Sequence, residues 1–159
     1  LVAREYARHS IVLFAHVDHP LAQREQIDIA ALHNQALLLR ERGSTTRAAM
    51  EKALAAASVK PQLNLEIGSR EAIREAVARG LGIGAVSEAE FIPDARFRPI
   101  RIAGDPASTT TYVYCMKERS ESLLVRSFLK AIEGSAAPNL PVLLTAPKPL
   151  IAPTAKKLA

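Results

Sequence analysis

The stretch EIGSREAIREAVARGLGIGAVSE, residues 66–88, places an amphipathic helix directly before a short apolar strand. Ser69 is a favoured N-cap residue, and Glu71 complements the positive N-terminal end of the helix. Gly80 stands where a left-handed residue commonly ends a helix, and the strand follows at 83–88. The apolar stripe of the helix consists of Ala72, Ile73, Ala76 and Val77. This segment therefore predicts helix, glycine turn and buried strand, in that order.

The glycines in this stretch also match the spacing of a dinucleotide-binding turn, G-x-G-x-x-G/A, at Gly80, Gly82 and Ala85. That fingerprint requires a strand before the glycines and a helix after them, because the pyrophosphate lies on the N-terminus of the helix. Here the order is reversed, so the glycines face a helix C-terminus. We therefore predict no NAD or FAD site and no other cofactor, and expect Gly82 and Gly84 to permit close packing of helix and strand.

On both sides of this stretch, apolar strands alternate with helices. Strands are predicted at 10–16, 36–41, 63–67, 97–102 and 108–118, and helices at 27–35, 45–57 and 120–133. The predicted apolar faces are Ala49, Met50, Ala53, Leu54 and Ala57 in the helix at 45–57, Leu63, Leu65 and Ile67 in the strand at 63–67, and Leu124, Val125, Phe128, Leu129 and Ile132 in the last helix. Such alternation indicates an α/β fold with a mostly parallel sheet flanked by helices. Residues 134–159 contain five prolines and are predicted to be an extended tail.

The composition is that of an ordinary globular chain, with 159 residues, 48% of them hydrophobic and 23% charged. The net charge is +5, but basic residues alternate with glutamates and aromatic residues make up only 4%, which argues against a nucleic-acid-binding face. Cys115 is the single cysteine, so an internal disulfide and a paired-cysteine metal site are excluded. We expect a cytoplasmic protein without membrane contact, because no signal peptide or long apolar run is present.

Two strand-to-helix junctions are candidate anion sites, because ligands of parallel sheets bind where the strands end and helix N–H groups are free. The first junction combines a flexible glycine, three hydroxyl side chains and two arginines, which suits a carboxylate or phosphate group. Its residues are Arg42, Gly43, Ser44, Thr45, Thr46 and Arg47. The alternative is that Ser44 and Thr45 only cap the helix and that the arginines are solvated.

The second junction begins at Ser69 and adds the backbone amides of Arg70 and Glu71. Simple capping is here the stronger alternative. Catalytic and metal sites are not predicted: the chain lacks a G-x-S-x-G elbow, and His16 and His19 lie in a proline turn that does not position metal ligands. We therefore do not expect an enzyme.

Four segments in this order resemble the effector-binding domain of LysR-type transcriptional regulators over residues 10–133. They are DHPLA at 18–22, LLLRERGSTTRAAMEKAL at 37–54, the 66–88 stretch, and RSFLKAI at 126–132. The most specific part is the series S-x-x-x-I-x-x-x-V-x-x-G-L-G-I that begins at Ser69.

This resemblance implies a fold like type II periplasmic binding proteins, with a small-molecule effector between two lobes. Residues 10–108 would form the second lobe, and 109–133 would return to a first lobe that is incomplete in this chain. Effector contacts would come from 43–46 and from Ser69 and Arg70. The family's DNA-binding helix-turn-helix is missing from this chain, so DNA would be a partner only through that domain, in a homo-oligomer such as a dimer.

More narrowly, residues 67–100 and TYVYCMKERSES resemble regulators associated with aminoethylphosphonate catabolism. The effector would then be a phosphonate zwitterion, with Glu41 or Glu71 facing its ammonium group. An extracytoplasmic solute-binding protein of a transporter, which shares the fold, is the alternative, and sequence upstream of Leu1 would distinguish the two. An enzyme acting on a phosphorylated substrate is a third and weaker possibility.

Overall fold

The computed structural model describes residues 1–134, and this part of the chain forms a seven-stranded sheet with three α-helices. The strands are β1 Val2–His16, β2 Gln26–Ile27, β3 Ala36–Leu39, β4 Leu63–Glu66, β5 Ile83–Ser87, β6 Phe97–Ile102 and β7 Ser108–Cys115, and the helices are α1 Thr45–Ala56, α2 Arg70–Ala78 and α3 Leu123–Gly134. The predicted α/β alternation is confirmed. The predicted tail lies, except for Gly134, outside the described residues.

The helix predicted at 27–35 is a single 3-10 turn, Ile29–Leu32. Asp28 caps this turn as expected, because its carboxylate accepts a hydrogen bond from the Ala30 N–H at 2.8 Å. The turn ends at once, and Asn34 adopts a left-handed conformation with φ 59° before β3 begins. The short connection between β2 and β3 thus leaves room for one turn and not for a helix.

The strand order in the sheet is β2-β6-β1-β5-β3-β4, with β7 paired to the first half of β1. β3 is parallel to both β4 and β5, and β2 is parallel to β6. The central strand β1 is antiparallel to β5, β6 and β7. The sheet is therefore mixed, whereas the alternation of elements indicated mostly parallel strands, because β1 runs antiparallel to all three of the strands that it pairs with.

β1 is longer than predicted because its two halves pair with different strands of the sheet. Residues 11–16 pair with β5 and β6, whereas residues 2–10 pair with β7 and shift register between Glu5 and Ala7. Only the segment 11–15 is uniformly buried, which is why the apolar pattern alone places the start of this strand near residue 10.

The core lies on both faces of the sheet. On one face α1 packs Met50, Ala53 and Leu54 against Leu13 and Ile100. On the other face α2 packs a second group of buried side chains, which includes Phe14, Leu38, Ile73, Ala76, Val77, Phe91 and Phe97. The predicted stripes of α1 and α2 are confirmed at the helix centres and wrong at Ala57 and Ala72, which are exposed at the helix ends.

Gly80 and Gly84 of the 66–88 stretch act as predicted, whereas Gly82 packs closely against strand β3 and not against the helix. Gly80 has φ +72°, and its N–H donates to the Val77 carbonyl at 2.8 Å, which ends α2. A Cβ at Gly82 would lie 2.7 Å from the Ala36 carbonyl oxygen, and one at Gly84 would lie 2.5 Å from the Phe14 ring. Side chains are excluded at both positions because β5 packs tightly against β3 and the core.

The α3 side of the structure leaves apolar side chains uncovered by the described residues. Leu124 is 80% exposed and Phe128 is 54% exposed, although both belong to the predicted stripe of this helix. Leu129 of the same stripe is buried. Leu65 on the edge strand β4 is 39% exposed, against the prediction, because β4 has a neighbour on one side only.

Candidate functional site

A cavity of about 810 Å³ opens where the parallel strands β3 and β5 end. The loop from β3 to α1, the start of α2, the turn after β5 and the paired segments of β1 and β7 surround it. Its lining residues are His9, Arg40, Glu41, Arg42, Gly43, Ser44, Thr45, Thr46, Arg70, Ser87, Ala89, Glu90, Thr109, Thr110 and Thr111. Six of the nine predicted site residues are thus brought together: Arg42, Gly43, Ser44, Thr45, Thr46 and Arg70.

The loop entering α1 presents an uncapped helix N-terminus to this cavity. Gly43 has φ +95°, a conformation that favours glycine and turns the chain into the helix. Ser44 occupies the N-cap position, but its side chain makes no capping hydrogen bond. The first N–H groups of a helix have no acceptor within the helix. The amides of the first turn of α1 and the Ser44 hydroxyl are therefore available to an acceptor in the cavity.

The charges that line the cavity are three arginines and two glutamates. Arg40 donates two hydrogen bonds to the Glu41 carboxylate, at 2.8 and 2.7 Å, and Arg70 donates to Glu90 at 2.6 Å. Arg42 is exposed and forms no ion pair within the described residues. One guanidinium of the lining thus has no carboxylate partner in this part of the chain, and the lining has a net positive charge.

The ion pair of Arg40 with Glu41 keeps both groups charged. The hydrogen bonds from Arg40 lower the pKa of Glu41, and the same contact raises the pKa of Arg40. Glu41 is therefore a carboxylate at neutral pH, already bound by a guanidinium. An incoming ammonium group would have to share this carboxylate with Arg40.

Arg47 does not line the cavity, although it is among the predicted site residues. Its guanidinium pairs with Glu51 at 2.7 Å and with Glu66 at 2.6 Å, and it also donates to the Arg40 carbonyl at 3.0 Å. Only 13% of its side chain is exposed. Arg47 therefore connects α1 to the end of β4 and to the loop that carries the cavity residues.

Ser69 and Glu71 lie beside the cavity without lining it. The Ser69 Oγ accepts a hydrogen bond from the Ala72 N–H at 3.1 Å and donates to the Glu71 carboxylate at 3.0 Å. Bonds from its own backbone N–H and from Ser69 lower the pKa of Glu71, so this group is a carboxylate. Ser69 therefore caps the N-terminus of α2, as the alternative interpretation of the second junction expects.

Local sequence patterns do not reveal the contribution of the paired strands and of the turn after β5. His9 lies opposite Thr109 in the register of β1 and β7, and Thr110 and Thr111 continue the cavity wall. The run STTT at 108–111 stands out as consecutive hydroxyl residues, but by itself it indicates only a strand. Its approach to the α1 junction depends on a pairing across about a hundred residues, so a sequence-based site prediction misses it.

Neither a metal cluster nor a membrane-spanning helix occurs within residues 1–134. In this range, no three His, Cys, Asp or Glu side chains lie close enough together to hold a metal ion. No helix of the same range combines the length and the apolar character needed to cross a membrane.

The chain resembles known proteins in sequence and in fold. The model of the LysR substrate binding domain family matches residues 1–137. The RuBisCO operon transcriptional regulator of Acidithiobacillus ferrooxidans is 31% identical over 149 residues, which are 89% of this chain and 48% of that protein. The HTH-type transcriptional regulator CbbR of Xanthobacter flavus is 34% identical over 143 residues, or 84% of this chain and 42% of that protein. The chain thus spans about half the length of these relatives.

A solved structure supports the same relationship. The regulatory domain of CcmR from Synechocystis PCC6803, determined in complex with 2-PG, superposes with a TM-score of 0.72 at 28% identity, covering 86% of this chain and 67% of that one. The prediction of a type II periplasmic-binding-protein-like α/β fold is confirmed. Since the family model matches most of its length, the chain belongs to the LysR substrate binding domain family.

Proposed function

We propose that this chain binds a small anionic metabolite in the cavity at the start of α1. The single observation that carries the proposal is the Arg42 guanidinium, unpaired among the described residues, beside the uncapped N-terminus of α1. Helix N-terminal amides and a guanidinium both favour an oxyanion such as a phosphate, phosphonate or carboxylate. The hydroxyl groups of Ser44, Thr45 and Thr109 add donors around the same space.

In this proposal, residues 10–108 are the second lobe of an effector-binding domain and 109–133 lead back to the first lobe. The position of the cavity supports it, because the paired segments of β1 and β7 leave lobe two at the cavity wall. The complex of the related CcmR regulatory domain with 2-PG is a further support for an anionic effector. Anions of that kind are the first ligands to test.

Effector binding would control the attachment of a homo-oligomeric, cytoplasmic regulator to DNA, through a helix-turn-helix outside this chain. The relatives described above are transcriptional regulators, which favours this function over a transporter's solute-binding protein. It also favours a sensor without catalytic turnover. Turnover of a phosphonate that disappears in a Ser44→Ala variant would contradict the proposal.

The narrower hypothesis of an aminoethylphosphonate effector adds a requirement for a carboxylate at the ammonium group. Glu41 and Glu90 line the cavity, but each is engaged by an arginine. The ammonium group of a zwitterion would therefore compete with Arg40 for Glu41 or with Arg70 for Glu90, whereas a simple anion would not. Comparing 2-aminoethylphosphonate with 2-PG as ligands distinguishes the two.

The test is isothermal titration of the protein with 2-PG, 2-aminoethylphosphonate and inorganic phosphate. Loss of a charge-assisted hydrogen bond is worth about 1.5–3 kcal/mol, so we expect Arg42→Ala to weaken binding about tenfold or more. Arg79→Ala is the matched control, because Arg79 is also an exposed arginine and does not line the cavity. Equal affinities of the two variants, or no binding of any of these anions, would contradict the proposed function.

A further inference from the structure

A second cavity of about 350 Å³ lies on the α2 face of the sheet and differs in character from the anion cavity. Its floor is formed by core side chains: Phe14 is 3% exposed, Ile73 2% and Phe97 1%. Phe91, which is also buried, completes an aromatic cluster in which ring centroids are 5.0 to 6.1 Å apart. The inner surface is thus aromatic and aliphatic, unlike the hydroxyl-rich wall of the anion cavity.

The two arginines at the mouth of this second cavity already have hydrogen-bond or ion-pair partners within the protein. The Arg74 guanidinium lies over the Phe97 ring at 5.2 Å from its centroid, donates to the Ile92 carbonyl at 2.6 Å, and approaches Asp94 at 3.7 Å. Arg70 is bound by Glu90. Both arginines that line this mouth therefore have acceptors, so a ligand does not need a charge to balance one.

We propose that this second cavity is a binding site for a small neutral aromatic molecule with one hydrogen-bond donor, of the phenol or indole class. An apolar cavity of about 150 Å³ already holds benzene, so the larger volume here has room for one substituted ring or two fused rings. Aromatic rings at about 4.5–7 Å separation favour a further ring packed edge to face. The Glu71 carboxylate, which lines the mouth, offers an acceptor for the ligand's O–H or N–H.

The two cavities share a wall. Arg70, Ala89 and Glu90 line both of them, and Arg70 is the first residue of α2. A molecule in the aromatic cavity that displaces the ion pair of Arg70 with Glu90 changes the charge presented to the anion cavity. Coupling between two ligands is reciprocal, so each ligand alters the affinity for the other by the same factor. This coupling rests on the proposed function, whereas the aromatic site itself does not.

The aromatic site is tested by fluorine NMR titration of the full chain with 5-fluoroindole. Val86 lines only the aromatic cavity and is half-buried, so Val86→Phe fills the space with a limited effect on the core. We expect at least a tenfold loss of affinity for 5-fluoroindole in this variant. Val113→Phe is the matched control, since Val113 is a half-buried strand residue on β7 that lines neither cavity.

A second measurement locates the probe independently of any variant. Proton NOEs from unlabelled indole to the Phe14 and Phe97 rings are expected. NOEs to the exposed Tyr112 and Tyr114 in place of these would overturn the proposal, because they would place the probe on the uncovered apolar surface. Absence of binding, or equal binding by the Val86→Phe and Val113→Phe variants, would overturn it as well.

The coupling is measured by titrating 2-PG with and without saturating indole. We expect the dissociation constant of 2-PG to change at least threefold. An unchanged constant refutes the coupling while the aromatic site stands. Absence of 2-PG binding in both titrations counts against the proposed function and the coupling, whereas the 5-fluoroindole titration still decides whether the second cavity binds an aromatic ring.

Discussion

Replacement of Gly82 by alanine tests whether close packing, rather than backbone freedom, explains the glycine before β5. An added Cβ would lie 2.7 Å from the Ala36 carbonyl oxygen and 3.2 Å from the Leu38 Cγ. The nearest of these atoms is backbone, so the contact is relieved only if β3 and β5 move apart. Overpacking of this kind costs about 1–3 kcal/mol. For a domain of this size, that loss corresponds to a decrease in Tm of roughly 2–12 °C.

The assay is thermal unfolding followed by circular dichroism, with Gly68→Ala as the matched control. A Cβ added at Gly68 would have no atom within 4 Å, and this residue does not adopt a positive φ. Its substitution restricts mainly the unfolded chain and is expected to leave Tm unchanged or raise it slightly. A Gly82→Ala variant that melts with the wild-type protein would refute the packing argument, because the pairing of β3 and β5 could then accommodate a side chain.

Three further predictions concern the helix α2 and the loop beside it. Gly80→Ala is expected to lower the free energy of unfolding by about 1–2 kcal/mol through left-handed backbone strain at φ +72°, although no atom would clash with the new methyl group; urea denaturation measures this, and an unchanged midpoint would contradict it. Ser69→Ala removes the bond to the Ala72 N–H and should cost about 1 kcal/mol in the same assay, and an unchanged midpoint would show that this cap does not stabilise α2. The Asp94 pKa is lowered to about 2, first by hydrogen bonds from Arg96, so its stabilising effect is present above the ordinary value of 3.8 and is lost as the pH falls toward 2. Asp94→Asn should therefore flatten the decline in Tm between about pH 4 and pH 2, and an unaltered acid profile would show that this contact does not stabilise the fold.

The elements that can be predicted from sequence are those whose signals are local. The Ser69 cap, the left-handed Gly80 and the buried part of the α2 stripe (Ile73, Ala76 and Val77) all lie within a dozen residues, and each is found as expected. The direction of β1 cannot be predicted in this way, because it depends on which strands β1 meets and not on its own residues. Leu65 is exposed for a similar reason, since a strand at the sheet edge has the same alternating sequence as one inside.

In the candidate site, too, local features can be predicted from sequence, whereas contacts between distant residues cannot. The junction 42–46 is predictable because a strand, a glycine and a helix start follow one another in the sequence. The pairing of Arg47 with Glu66 is not, because Glu66 is 19 residues away and reaches Arg47 only through the parallel pairing of β3 and β4. Ser44 and Ser69 are also equivalent in sequence, yet only Ser69 caps its helix with its side chain.

These ion pairs explain why one arginine differs from its neighbours in the loop. Arg47 anchors the Arg40 carbonyl, and Arg40 in turn binds Glu41, so the backbone leading into the cavity is fixed before any ligand arrives. A fixed loop loses less conformational entropy when it binds, which favours affinity. Arg42 carries the one guanidinium of this loop that these contacts do not engage. Arg40 and Arg47 thus fix the conformation of the loop. Arg42 is the arginine of this loop whose positive charge is available to an anion in the cavity.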